Sequence, residues 1–326
     1  MNDRRILLCD KPFNSINADA ADWLILAVGA ESRCCHVAKS LFEDRRCAIG
    51  KVLVLRYPDV SELVVNKVRK SLAKFCSDKD CIEIEKLESD SHEKIYDILN
   101  TRFNINERKE CLVIVDYSCM SRVWYAAILH WFFLRYKDCG HLNFLFLYAK
   151  GRYTKEIASK DVIIREIRPV PGCAGSSSRQ ANTAAIFCLG FYGYMSLCVY
   201  DELEPNDIYT ISTIEKPLRG YPIERQPGNE ELIERANKPL RISVCSVEGA
   251  FRQMMEIAKY HLLKGENVTV VPMGPKPHIL ASILLALANP DVCVMRVRHD
   301  QYTSNVMPAG EIVATEVRFI DISYDS

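Results

Sequence analysis

An α/β fold built twice is what this sequence predicts, and three observations predict it. Short apolar runs alternate with helix-spaced stretches along most of the chain, a glycine closes the first strong run of each half, and the order of elements returns after about 160 residues. Gly190 follows Gly29 by 161 residues and Met273 follows Asp116 by 157, a register that chance rarely keeps. Strands alternating with helices imply right-handed crossovers and mainly parallel sheets covered on both faces.

In the first half, residues 23–28 form a continuous apolar run ended by Gly29, the pattern of a buried parallel strand turning into a helix, which the spacing places at 32–42. KVLVLR at 51–56 is a second strand. A helix over 61–75 opens on a Ser cap and gathers Val64, Val65, Val68 and Leu72 on one face. A third strand at 81–86, a helix near 91–100, the strand CLVIVD at 111–116, a helix over 123–136 and the strand LNFLFLY at 142–148 complete the unit.

The second half repeats this order after the turn-rich stretch PVPGCAGSSS at 169–178. Strands are expected at 184–189, 207–212, 241–244, 267–272 and 292–297, with helices over 195–203, 230–237, 248–263 and 277–288. Residues 311–322 alternate like an edge or antiparallel strand and are expected to join the second sheet. The expected organisation is a first Rossmann-like unit over 1–167, a linker at 168–183 and a second unit over 184–326, the two related by duplication of mainly parallel, doubly wound sheets.

Composition narrows the function classes. The 326 residues hold 42 basic and 42 acidic side chains at 48% hydrophobic content, so nothing draws the chain toward an extended nucleic-acid surface. With no apolar run of 18 residues and no leader-like start, the sequence reads as cytoplasmic, with no membrane partner. The fourteen cysteines stand largely inside apolar patterns, where a reduced thiol acts as a small hydrophobe. Cys34-Cys35-His36 lacks the paired spacing of a zinc site, so neither a metal nor another cofactor is expected.

In a doubly wound sheet with strand order 3-2-1-4-5, ligands bind beyond the carboxyl ends of strands 1 and 4, where the order reverses. That rule selects four loops: 29–33 and 116–122 in the first unit, 190–194 and 273–278 in the second. Both fourth-strand loops set a small residue and a cation before a helix N-terminus, where amides and the helix dipole favour a phosphate. Gly274, Lys276 and His278 carry this pattern in the second unit, with Pro277 suited to a first helical turn; Ser118, Ser121 and Arg122 carry it in the first. Solvated cations beside ordinary turns are the plainer alternative.

Gly29, Ala30 and Glu31 do not make the glycine fingerprint of a dinucleotide site. Glu31 and Arg33 either pair on the surface or face a ligand. After Gly190, Phe191, Tyr192 and Tyr194 offer faces for a base or belong to the core; Tyr153 and Tyr302 follow the fifth strands in similar settings. Were the chain an enzyme, Asp116 and His278 would be its acid and base candidates, with capping the plainer role for Asp116. The other histidines, 36, 92, 130, 141, 261 and 299, read as structural or surface groups.

The segment VVPMGPKPHILA, with VDYSCMSR as a degenerate counterpart, resembles the fourth-strand motif of CRISPR-associated Rossmann fold (CARF) sensor domains, and two such units in one chain look like the SAVED pseudo-dimer. The architectural resemblance spans most of the chain; the specific motif covers only 273–281. It implies binding of cyclic di- or oligonucleotide second messengers in antiviral defence. Since no residues remain for an effector, it also implies a separate effector protein. An enzyme acting on a nucleotide or phosphorylated small molecule, and a scaffold subunit of a defence-type complex, are the competing classes.

Overall fold

The computed structural model describes residues 4–16, 20–29, 31–43, 48–74, 76, 81–103, 111–135, 142–153, 163–178, 180–216, 222–299 and 306–321. The chain divides into two compact units, Met1–Gly151 with Ser304–Ser326, and Arg152–Thr303.

The first unit holds β1 (Arg4–Pro12), β2 (Ala20–Val28), β3 (Ala48–Arg56), β4 (Ile82–Lys86), β5 (Cys111–Asp116), β6 (Leu142–Arg152) and β13 (Met307–Asp321), in the order β1-β13-β6-β5-β2-β3-β4. The five strands β2 to β6 pair in parallel and run β4-β3-β2-β5-β6, which is the expected 3-2-1-4-5. Helices α1 (His36–Glu43), α2 (Glu62–Leu72), α3 (His92–Arg102) and α4 (Arg122–Arg135) connect them. Residues 23–28 are all buried, as a strand covered on both faces requires.

The second unit holds β7 (Ile164–Pro169), β8 (Thr183–Cys188), β9 (Asp207–Thr213), β10 (Lys238–Ile242), β11 (Asn267–Pro272) and β12 (Val292–His299), in the order β10-β9-β8-β11-β12-β7. Strands β8 to β12 are parallel in the same 3-2-1-4-5 order, with β7 antiparallel on β12. Its helices are α5 (Gly193–Leu203), α6 (Asn229–Arg235), α7 (Val247–Leu262) and α8 (Lys276–Ala288). Two mainly parallel sheets with the same winding make this an α/β fold of two tandem Rossmann-like units.

Helix α8 is buried on every side from Pro277 to Leu287, and α4 from Val123 to Leu129, whereas α2 buries only Val65, Val68 and Leu72. The crossovers after both fourth strands are therefore core helices, and their N-termini are held rigidly at the sheet ends.

Two elements differ from the sequence expectation. The C-terminal strand β13 lies in the first sheet, paired antiparallel with β1 from Arg4↔Asp321 to Pro12↔Val313, and not in the second. Alternation reveals a strand with one covered face but is silent on which open edge receives it. Residues 164–169, of which the last two fall in the expected 168–183 linker, form strand β7, and the chain after it stays on the second sheet: Val170 N donates to Val294 O, and Val294 N to Cys173 O, each at 2.8 Å.

Candidate functional site

At the first switch point, Arg33 leaves the turn after β2 and is only 2% exposed. Its Nε donates to Glu31 Oε2 at 2.5 Å, and its Nη1 donates to Ala149 O at 2.9 Å and to Tyr148 Oη at 3.3 Å. The guanidinium carbon stands 5.3 Å from the Tyr148 ring centroid. Because β5 lies between β2 and β6 in the sheet, this side chain spans the carboxyl end of β5. Glu31 and Arg33 pair with each other, Arg33 buried and Glu31 part-exposed.

The loop after β5 closes on itself. Asp116 Oδ1 accepts from Ser118 N at 3.0 Å and from Ser118 Oγ at 2.5 Å, while Ser118 Oγ accepts from Ala149 N at 2.8 Å. Asp116 and Ser118 are 2% and 0% exposed, so both sit inside the packing, with Asp116 in the capping role. Ser121 caps α4, accepting from Trp124 N at 3.2 Å while its hydroxyl donates to Ser89 O at 2.7 Å. Arg122 is half-buried as the first residue of α4. A methyl group on Gly29 would meet the edge of the Tyr57 ring at 3.2 Å.

The second switch point is built differently. The loop after β11 has three residues, Met273 to Pro275, against five after β5. Glycine is needed where the loops meet: a methyl on Gly190 would lie 2.0 Å from Met273 O, and one on Gly274 3.0 Å from Leu189 O. These glycines let backbone approach backbone. Helix α8 begins at Lys276 after Pro275, which has no side-chain cap, and α5 likewise begins after Tyr192 without one. His278 N and Ile279 N both turn back to Pro275 O. Lys276 is half-buried at this N-terminus.

Half-buried aromatic rings flank that loop. Phe191 lies 4.9 Å from Tyr153 between centroids, and Tyr192 lies 6.0 Å from His299 at the end of β12. With β11 between β8 and β12, the Tyr192–His299 pair reaches past the end of β11, as Arg33 does past β5. Phe191 and Tyr192 also pack on the core around Phe187 and Met195. Tyr194 is 63% exposed on the first turn of α5.

His278 is fully buried, and its Nε2 meets Ser243 O at 3.1 Å. Burial lowers its pKa from 6.5 to about 4, against the opposing pull of the Ser243 carbonyl and Glu215, so it is a neutral packing group and not a solvent-facing acid or base. Tyr302 and His141 lie outside the described residues. Sequence reasoning missed Asn229, which is fully buried and whose Nδ2 donates to Gly190 O and Ile223 O at 2.8 Å each, tying the segment before α6 to the crevice loop. Its sequence trace was the Gly-Asn pair at 228–229, where Gly228 takes a φ of 83°.

No protein-family model matches the chain, and no curated protein matches it. Among solved structures, one of a type III CRISPR defence DNA nuclease activated by cyclic oligoadenylate is similar with a TM-score of 0.49 and 9% identity, covering 86% of this chain and 67% of that one. Fold and loops together define a duplicated Rossmann-like α/β protein. No helix among the described residues is long and apolar enough to cross a membrane.

Proposed function

We propose that this chain is a nucleotide-sensing module that takes a phosphate-bearing nucleotide at the switch point of its second unit. The observation that carries the reading is the α8 N-terminus, headed by Lys276 without a side-chain cap and flanked by the half-buried rings of Phe191 and Tyr192. A lysine at the positive end of a helix dipole suits a phosphate, and the rings suit a base. Gly190 and Gly274 hold the two loops at backbone contact, so the seat is preformed. The CARF-like segment VVPMGPKPHILA supports cyclic oligonucleotide second messengers of antiviral defence as the ligand class, with a separate effector protein as the partner. The first unit, where Arg33 lies buried across the end of β5, serves as a structural half.

The test is a thermal-shift screen of the full chain against cyclic dinucleotides, cyclic oligoadenylates, linear nucleotides and NAD. A ligand at a hundredfold excess over its Kd stabilises the folded state by about 2.7 kcal/mol. The shift is expected for a cyclic nucleotide, lost in Lys276→Ala and kept in Arg122→Ala. Absence of any shift rejects the reading.

A further inference from the structure

At the amino ends of the second sheet, opposite its switch point, three elements bring together a donor set. Asp207 is the first residue of β9, His261 stands in the last turn of α7, and Glu266 immediately precedes β11. Gly265, at φ 75°, turns the chain after α7 so that Glu266 N donates to His261 O at 3.1 Å and its carboxylate folds back on the helix. His261 is 1% exposed; its Nδ1 meets Glu266 Oε2 at 2.5 Å and its Nε2 meets Tyr209 Oη at 2.9 Å. One nitrogen of the imidazole and one oxygen of each carboxylate all lie within 4.8 Å of one another.

We propose that Asp207, His261 and Glu266 bind a first-row divalent metal ion such as zinc. Metal–nitrogen and metal–oxygen bonds near 2.1 Å place tetrahedral donors about 3.4 Å apart, so the cluster reaches that spacing by small side-chain movements. One imidazole with two carboxylates is a borderline-hard set, suited to zinc or manganese and unlike a thiolate site. The cation takes the place of the His261–Glu266 hydrogen bond, the imidazole binding through Nδ1 as the neutral ring with its proton on Nε2, where Tyr209 Oη accepts it. Bound there, the ion ties the end of α7 to the starts of β9 and β11. The site stands apart from the nucleotide seat and does not depend on it. Donors at 207, 261 and 266 form no spacing motif in the sequence.

The experiment uses the full chain, reduced and dialysed against chelator, then titrated with zinc and with cobalt. One equivalent of zinc is expected to raise the melting temperature. Asp207→Asn and Glu266→Gln, both part-exposed positions where near-isosteric changes keep the fold by circular dichroism, are each expected to weaken binding at least roughly tenfold. Bound cobalt is expected to lack the intense near-ultraviolet thiolate band. No zinc-dependent rise, a rise unchanged in both variants, or a cobalt spectrum with the thiolate band overturns the proposal, the last by placing the metal on cysteines.

Discussion

At the first switch point the chain lays its own cation across the end of β5, where a phosphate-bearing ligand would need one; at the second it leaves a lysine at a helix start and glycines against backbone. Arg33 is neutralised by Glu31 and bonded to Ala149, and Ser121 occupies the α4 N-terminus with its own hydroxyl. In the second unit no side chain caps α8. The same winding thus yields one loop tied across the sheet end by a buried arginine and one held by close backbone contact at two glycines. The comparison teaches that a duplicated strand order fixes where the loops fall, whereas a few side chains decide how each loop is held.

The sharpest way to break that contrast is Arg33→Ala. Removing one partner of a buried ion pair costs about 3–5 kcal/mol, because Glu31 and Ala149 O are left uncompensated. Urea denaturation measures it. A loss under about 1 kcal/mol, the scale of an exposed pair, would mean that the guanidinium does not hold the first crevice closed.

Acid probes the second unit. The folded pKa of His278 lies below its ordinary value of 6.5, at about 4, so the unfolded chain takes up the proton first as pH falls. Its contribution is complete above about pH 6.5 and is lost as pH falls toward 4, on the order of 3 kcal/mol in all. Urea midpoints at neutral and acid pH for the wild type and His278→Gln separate this group from the other titrations. Parallel declines in the two proteins would exclude His278 as the acid-sensitive group.

Gly29 and Gly190 give the finest comparison, since they close the equivalent first strands. Gly190→Ala drives a methyl to 2.0 Å from a backbone oxygen and should cost about 1–3 kcal/mol; Gly29→Ala meets only a ring edge at 3.2 Å and should cost less. Equal losses in thermal melts would show that the backbone contact at Gly190 relaxes freely.

Several parts of this site were legible in advance. Asp116 at the end of an apolar strand read as a cap, and it caps; the four loops followed from strand order, and that order holds in both sheets. The charge at Arg33 was visible, but its burial was not, because Tyr148 and Ala149 are more than a hundred residues away in the chain. His278 looked like a site histidine by its place in a loop, yet Ser243, brought beside it by the fold, makes it interior.

By itself the sequence determined the duplicated α/β winding, since hydrophobic periodicity and the interval between matching glycines are local properties of the chain. The tertiary structure alone decided that the last strand joins the first sheet, that Arg33 is buried across the end of β5, and that Asp207, His261 and Glu266 meet. Each of these rests on contacts between residues far apart in sequence, where burial and hydrogen-bond satisfaction, and not local propensity, select the partner.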